Sequence, residues 1–191
     1  MYTARKAAEI RAALTRGNAG KNKMQARINR GNDMEIDSRE LRNALGRFAT
    51  GVCIISAVTP QGEALGLTAN SFASVSLDPP LVLWSLQNNS EVFSAFSTPR
   101  FYAINILAQE HEGHSGRYAK KGDHRLDPEH FTPGKFGAPI LRQALASFEC
   151  ELHATHDGGD HLIIVGRVRD MQTRPEGAPL LFFCGGYRQL A

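Results

Sequence analysis

No apolar run in this 191-residue chain approaches the ~18 residues that a membrane-crossing helix needs. No GxGxxG follows a strand-like run and no GxxxxGK[ST] occurs, so the usual phosphate-cradling loops are missing. Cysteine is scarce. Cys53, Cys150 and Cys184 are widely spaced, form no CxxC pair and sit in apolar, strand-like runs. They read as small buried hydrophobes in a reducing compartment, and nothing local supports a catalytic thiol. There is no internal repeat and no low-complexity tract. Nor does the body carry excess positive charge. Residues 1–37 hold eight Lys/Arg against four Asp/Glu, so the overall +3 leaves residues 38–191 at −1. The body therefore offers no sign of a nucleic-acid surface.

What remains is the composition of one ordinary soluble domain, 42% hydrophobic and 21% charged. The leader, residues 1–37, has no secretory apolar core or cleavage signature. Its arginines would suit a transit peptide, but Glu9 and the few serines argue against one. Residues 3–16 suit a short helix, and the leader reads as a basic, flexible or helical extension outside the fold. Expected localisation is cytoplasmic. The domain is expected over 38–191. Asp37 stands at a helix N-cap with Glu40 three residues on, a capping-box pattern. Leu41, Leu45 and Phe48 follow at helical spacing, with Gly51 as the expected stop.

From there the pattern is mainly β. VCIISAV (52–58) is short and β-branched, and with LGLTANSF it forms a predicted hairpin across TPQGEA. LVLWSL (81–86) reads as a buried strand after the Asp78–Pro79–Pro80 turn. A short helix over 90–97 is expected to be capped by Ser90. FYAINIL (101–107) is a strand, and AQEHEGHSGRYAKK is weakly helical. Residues 122–139 read as a long Pro- and Gly-rich loop, of the kind that often serves as a lid or interface. In 146–156, Phe148, Cys150, Leu152 and Ala154 face one way, and Glu149, Glu151, His153 and Thr155 the other. DGGD is a hairpin turn, 161–172 the returning strand, and PLLFFCGG (179–186) one closing strand. Six or seven strands linked as hairpins predict an antiparallel sheet or closed barrel.

One stretch asks for explanation. GLTANSFASVSLDPPLVLWSL (66–86) places Thr68, Asn70, Ser71, Ser74 and Ser76 against an apolar run. A buried polar group left unpaired costs about 1–3 kcal/mol, so these must have partners. Two readings stand level. In one, a polar edge receives a flat heterocycle with imide oxygens, a sugar-like chain and a phosphate. In the other, a bulged strand satisfies its own backbone. The seven histidines do not assemble into a metal site: His153 and His156 fall on opposite faces of a strand, and His111 and His114 have no third ligand. Metal is not expected. Trp84, Phe93, Phe96, Phe101 and Tyr102 read as core.

The same stretch resembles the signature of the flavin reductase-like, FMN-binding split-barrel family. RFYAINIL, GGDH (158–161) and PLLFFCGGYRQL match further family stretches in order. The resemblance implies a mainly β, six-stranded antiparallel split barrel with a few short helices, and a homodimer with flavin near the subunit interface. It implies an enzyme in which NADH or NADPH reduces FMN or FAD for a partner monooxygenase. It places Thr68, Ala69, Asn70 and Ser71 along the ring and ribityl chain, with Ser74, Val75 and Ser76 close to the ring. Asn88, Asn89 and Ser90 match the ribityl–phosphate end. Arg117, Lys120, Lys121 and Arg125 offer phosphate contacts, with Arg117 and Lys121 the two expected to bind the cofactor. In the GGDH turn, Gly159, Asp160 and His161 lie by the ring. His161 is implied to hydrogen bond the nicotinamide or flavin, or to supply a proton. Tyr187 is expected near the substrate face. Two other classes fit such a barrel: a flavin-binding carrier or sensor without turnover, and a pyridoxamine phosphate oxidase.

Overall fold

The structure is a computed structural model that describes residues 36–190, together with Glu9 and Ala12. The helix expected over 3–16 falls outside the described residues, apart from Glu9 and Ala12, which are helical. Helix α1 runs Ser38–Leu45, and the Asp37 carboxylate accepts from the Arg39 and Glu40 amides at its start. It stops at Leu45 rather than at Gly51. The Gly46 and Arg47 amides close the last turn, and the chain then enters strand β1, Thr50–Gly51. Leu41, Leu45 and Phe48 all point to solvent, so the apolar spacing does not serve the core.

The central sheet contains β2 (Cys53–Val58), β3 (Ala64–Ala69), β4 (Ala73–Leu77), β5 (Pro80–Gln87), β6 (Phe101–Ile106), β9 (Ala146–Asp157) and β10 (His161–Thr173). All its pairs are antiparallel, in the order β3-β2-β6-β9-β10-β5-β4. The order carries a geometric consequence. Strands β3 and β4 occupy opposite edges of a seven-stranded sheet, yet only residues 70–72 join them. A flat sheet of that width would separate its edges by about 29 Å at ~4.8 Å per strand. The linker reaches at most about 14 Å. The sheet must roll until its edges approach, which makes a barrel closed by the chain and not by a hydrogen-bonded ladder. This is the split barrel the resemblance implies, with seven strands because β4 pairs separately with β5.

Strand β2 is buried on both faces, which is why its sequence runs apolar without alternation. Ile55 joins the barrel interior with Trp84, Phe96, Tyr102, Ile104, Leu162 and Ile164. Ile54 points outward into a second cluster with Tyr118, Leu126, Phe131 and Leu180. Phe101 is only partly buried. Helix α2 is a single turn, Phe93–Phe96, begun at Val92 with no side-chain cap. Ser90 instead accepts the Phe93 amide through its carbonyl, because burying Phe93 and Phe96 sets where the turn forms. A 3-10 turn, Gln109–His111, leads into α3, Glu112–Tyr118.

The expected loop over 122–139 is partly ordered as a hairpin of β7 (Phe131–Pro133) and β8 (Pro139–Leu141). It covers the outer face of β9 and buries Ser147 and Glu149. The Glu149 carboxylate accepts from the Phe136 and Ala138 amides at 2.8 and 2.9 Å. The face read as polar is thus buried at Ser147 and Glu149, and a bulge at His153, between the Val165–Ala154 and Gly166–Leu152 pairs, interrupts the alternation further on. The closing segment is two strands, not one: β11 (Leu181–Phe183) and β12 (Gly186–Arg188), reversing at Cys184 and Gly185, both with positive φ. Cys53 and Cys150 are buried, and burial pushes both thiols up to about 12, but Cys184 is exposed at that turn.

Candidate flavin site at the barrel seam

The seam between the two edges opens as a cleft of about 380 Å³. One wall is the end of β3 with the crossing residues: Leu67, Thr68, Ala69, Asn70 and Ser71. Ser85 and Gln87 of β5 form the other, continued by Asn89, Ser90 and Glu91. Ala119, Lys121 and His124 close one end, and His161 enters from the start of β10. The segment over 124–126 reaches the cleft because it pairs onto the outer edge of β3: the Gly66 amide donates to the His124 carbonyl, and Leu126 to Ala64.

The polar edge answers to both sequence readings. The Ser71 hydroxyl bonds the backbone of Ser85 (2.9 Å from its amide), and Thr68 Oγ1 donates to the Ser115 carbonyl at 2.8 Å. Those two hydroxyls satisfy the protein itself. Asn70 differs. It is exposed, lies outside both ladders, and its side-chain amide has no partner among the described residues. A second hollow of about 200 Å³ shares Thr68, Ala69 and Asn70, and is bounded by Val52, Ser115, Ala119, Phe182 and Tyr187. There the Tyr187 and Ser115 hydroxyls meet at 2.7 Å, so the C-terminal hairpin and α3 jointly support Thr68.

His161 follows the 157–160 turn. Gly159 takes φ +83°, which only glycine adopts freely, and its amide donates to Asp157 at 3.0 Å. Asn88 holds the turn from the other side. Its amide donates to the Asp160 carbonyl and its Nδ2 to the Gly159 carbonyl, each at 3.0 Å. The Asp160 carboxylate lies 2.7 Å from His161 Nδ1. That hydrogen bond holds the Asp160 carboxyl below the usual carboxylate range. A carboxylate only accepts, so Nδ1 carries the proton and the ring is held with Nε2 as its other edge.

Not every expected residue reaches the cleft. Ser74, Val75 and Ser76 lie on β4 around a bulge, and Val75 is exposed. Asn88 braces the turn and does not line the cleft. Arg117 is turned to Asp127 at 3.0 Å, and Arg125 pairs with Glu63. Lys121 lines the cleft and has no carboxylate partner among the described residues. Glu91 and His124, which the sequence reading passed over, do line it. Strand alternation from Ser85 through Gln87 to Asn89 was the available signal for that wall. No equivalent signal existed for His124, whose place depends on a nonlocal pairing. On the opposite side of α3, His111, His114 and His130 pack ring to ring, with centroids 5.3 and 4.2 Å apart. Among the described residues no His/Cys/Asp/Glu group is arranged to hold a metal ion.

A seven-stranded split barrel with a polar seam, an imidazole and a lone ammonium defines a class of cofactor- or nucleotide-handling barrel. Comparison with known proteins makes the class specific. A family model described as "Flavin reductase like domain" matches residues 45–191, and the chain belongs to that family. It is 45% identical over 151 residues to the FMN reductase (NADH) SmoA of Agrobacterium fabrum, covering 79% of this chain and 85% of that protein. It is 37% identical to the reductase subunit HsaB of a flavin-dependent monooxygenase of Rhodococcus jostii, covering 80% and 77%. Among solved structures it resembles the Streptomyces globisporus NADH:FAD oxidoreductase SgcE6 in complex with NAD and FAD fragments. There the TM-score is 0.76 at 33% identity, covering 81% of this chain and 93% of that one.

Proposed function

We propose that this chain is an NAD(P)H:flavin oxidoreductase that supplies reduced FMN or FAD to a partner monooxygenase. The observation that carries the reading is the seam cleft, in which Asn70, Lys121 and His161 converge from three separate segments. Its volume lies within the ~300–1,000 Å³ of small-ligand sites. Its donor set suits a flavin: an unpartnered amide for the imide edge, Asn89 and Ser90 for the ribityl chain, and an ammonium for the phosphate. Bound flavin would supply the hydride acceptor, and NADH or NADPH the hydride.

The chain's own residues orient and protonate. Thr68 and Ser71, tied to Ser115 and Ser85, hold the crossing segment rigid so that Ala69 and Asn70 line the ring. Productive transfer requires reacting atoms about 3–3.5 Å apart, which demands such a fixed wall. The Gly159–Asp160 turn keeps the nicotinamide side open. His161, oriented by Asp160, holds a hydrogen bond or gives a proton at Nε2. The 38–191 segment is the reductase barrel and residues 1–37 an appended basic extension. A homodimer fits the exposed apolar side chains of α1, of Phe48 just after it and of β4, with Phe48 at 80% and Leu77 at 96% exposure. Ser74, Val75 and Ser76 would then face the flavin only beside that interface. Buried, unpaired Cys53 and Cys150 fit a cytoplasmic enzyme.

The test is oxidation of NADH and of NADPH by the purified protein with added FMN, FAD and riboflavin. Flavin-dependent oxidation is expected. Failure with every flavin and both nicotinamides would overturn the reading in favour of a carrier. Sedimentation measures the dimer.

A further inference from the structure

We propose that Glu91 is an affinity-setting residue that weakens the cleft's hold on the flavin's phosphate, so that flavin is exchanged rather than retained. This rests on the seam cleft being the flavin site. A phosphate monoester carries roughly −1.5 to −2 charges at neutral pH and is best held by guanidinium or ammonium groups. The chain has four such groups between residues 117 and 125, yet it withholds two. Arg117 is committed to Asp127 at 3.0 Å and Arg125 to Glu63. Of the remaining lysines, Lys121 lines the cleft, and Glu91 lines it too.

The Glu91 carboxylate is fixed there. Its Oε2 accepts the Gly122 amide at 2.8 Å and lies 3.9 Å from His124 Nε2. His124 is itself held, with its side chain 9% exposed and Nδ1 3.2 Å from the Gly66 carbonyl. That carbonyl can only accept, so Nδ1 carries the proton and Nε2 is the atom facing Glu91. A carboxylate held in the same cleft as the Lys121 ammonium offsets the one cation offered to the phosphate. Asn89 and Ser90 precede Glu91 on the same wall and Asn70 lies on the β3 wall, but the ring and ribityl groups they would meet carry no charge for the carboxylate to repel. Glu91 therefore discriminates against the phosphorylated flavins and leaves riboflavin unaffected. The consequence suits an enzyme whose product must leave.

The experiment compares FMN and riboflavin affinities by fluorescence quenching in the full-length wild type, Glu91→Gln and Lys121→Gln. Glutamine keeps an oxygen for the Gly122 amide and removes only the charge. Glu91→Gln is expected to tighten FMN by about five- to tenfold at low salt, with riboflavin changed less than twofold. The gain should shrink toward ~1 M salt, where charges are screened beyond about 3 Å. Lys121→Gln should weaken FMN and spare riboflavin. An unchanged FMN-to-riboflavin ratio in Glu91→Gln, or an equal shift for both ligands, would overturn the proposal while leaving the flavin site standing. Wild type that binds no flavin would overturn both.

Discussion

Asp160 and His161 are neighbours in sequence, and their 2.7 Å contact makes one the orienting group of the other. His161→Ala is therefore expected to slow flavin reduction by roughly 10²-fold while changing flavin affinity far less. Stopped-flow bleaching near 450 nm and flavin fluorescence separate the two, and equal losses would make the histidine structural. The cysteines also divide at this scale. Cys53 and Cys150 are buried with thiols pushed up to about 12, whereas Cys184 is exposed at a positive-φ turn. A thiol reagent should titrate one cysteine in the native protein and three after unfolding. The sequence placed all three in apolar runs. It had no way to show that β11 and β12 reverse between Phe183 and Gly186. Gly166 packs against the Tyr102 ring, and a Cβ there would overlap the hydroxyl. Gly166→Ala should cost about 1–3 kcal/mol, read as a lowered denaturant midpoint.

The β7–β8 hairpin is attached to β9 largely through one side chain. Glu149 is 2% exposed and accepts two hairpin amides. Removing it leaves those buried donors unpaired, at about 1–3 kcal/mol each. Glu149→Ala should lower stability and raise hydrogen exchange at Phe136 and Ala138, with β10 unaffected below global unfolding. Alternation along 146–156 correctly placed Glu149 on the face opposite Phe148. It gave that face no partner, because the covering hairpin lay in a stretch read as loop. Elements whose partners are adjacent were legible: β2 with β3, and β9 with β10 across the DGGD turn. Helix α1 was legible at its start, where Asp37 caps locally, and not at its end, where pairing of Thr50 with Phe182 takes over.

The whole molecule contains a packed trio of histidines beneath α3. His111 accepts the Ala108 amide on Nδ1, which a doubly protonated ring could not do. Burial depresses the His111 and His114 pKa values. Nearby positive groups add to this, Arg174 and His130 for His111 and Arg117 and His130 for His114, while Glu110 and Asp127 oppose it. The unfolded chain therefore binds more protons below the ordinary histidine value near 6.5. Stability from these rings is fully present above that pH and is lost as pH falls toward the depressed folded values. Melting temperature should drop as pH falls below about 6.5, and His114→Gln should flatten the slope. A slope unchanged by that substitution would remove the trio as its cause.

Local chemistry alone determined the strand-rich class, the hairpins and the unusual polar run from Thr68 to Ser76, because turns, alternation and capping act over a few residues. The family signature in that run pointed to the candidate site along the chain. Tertiary structure decided which of those residues meet. Three linker residues force β3 and β4 together, and that closure brings Ser85, Gln87 and Glu91 to the cleft that Asn70 lines, while His124 arrives through the pairing of 124–126 onto β3. The same folding turned Arg117 away to Asp127. Both outcomes depend on strands far apart in sequence pairing side by side, which no local pattern encodes.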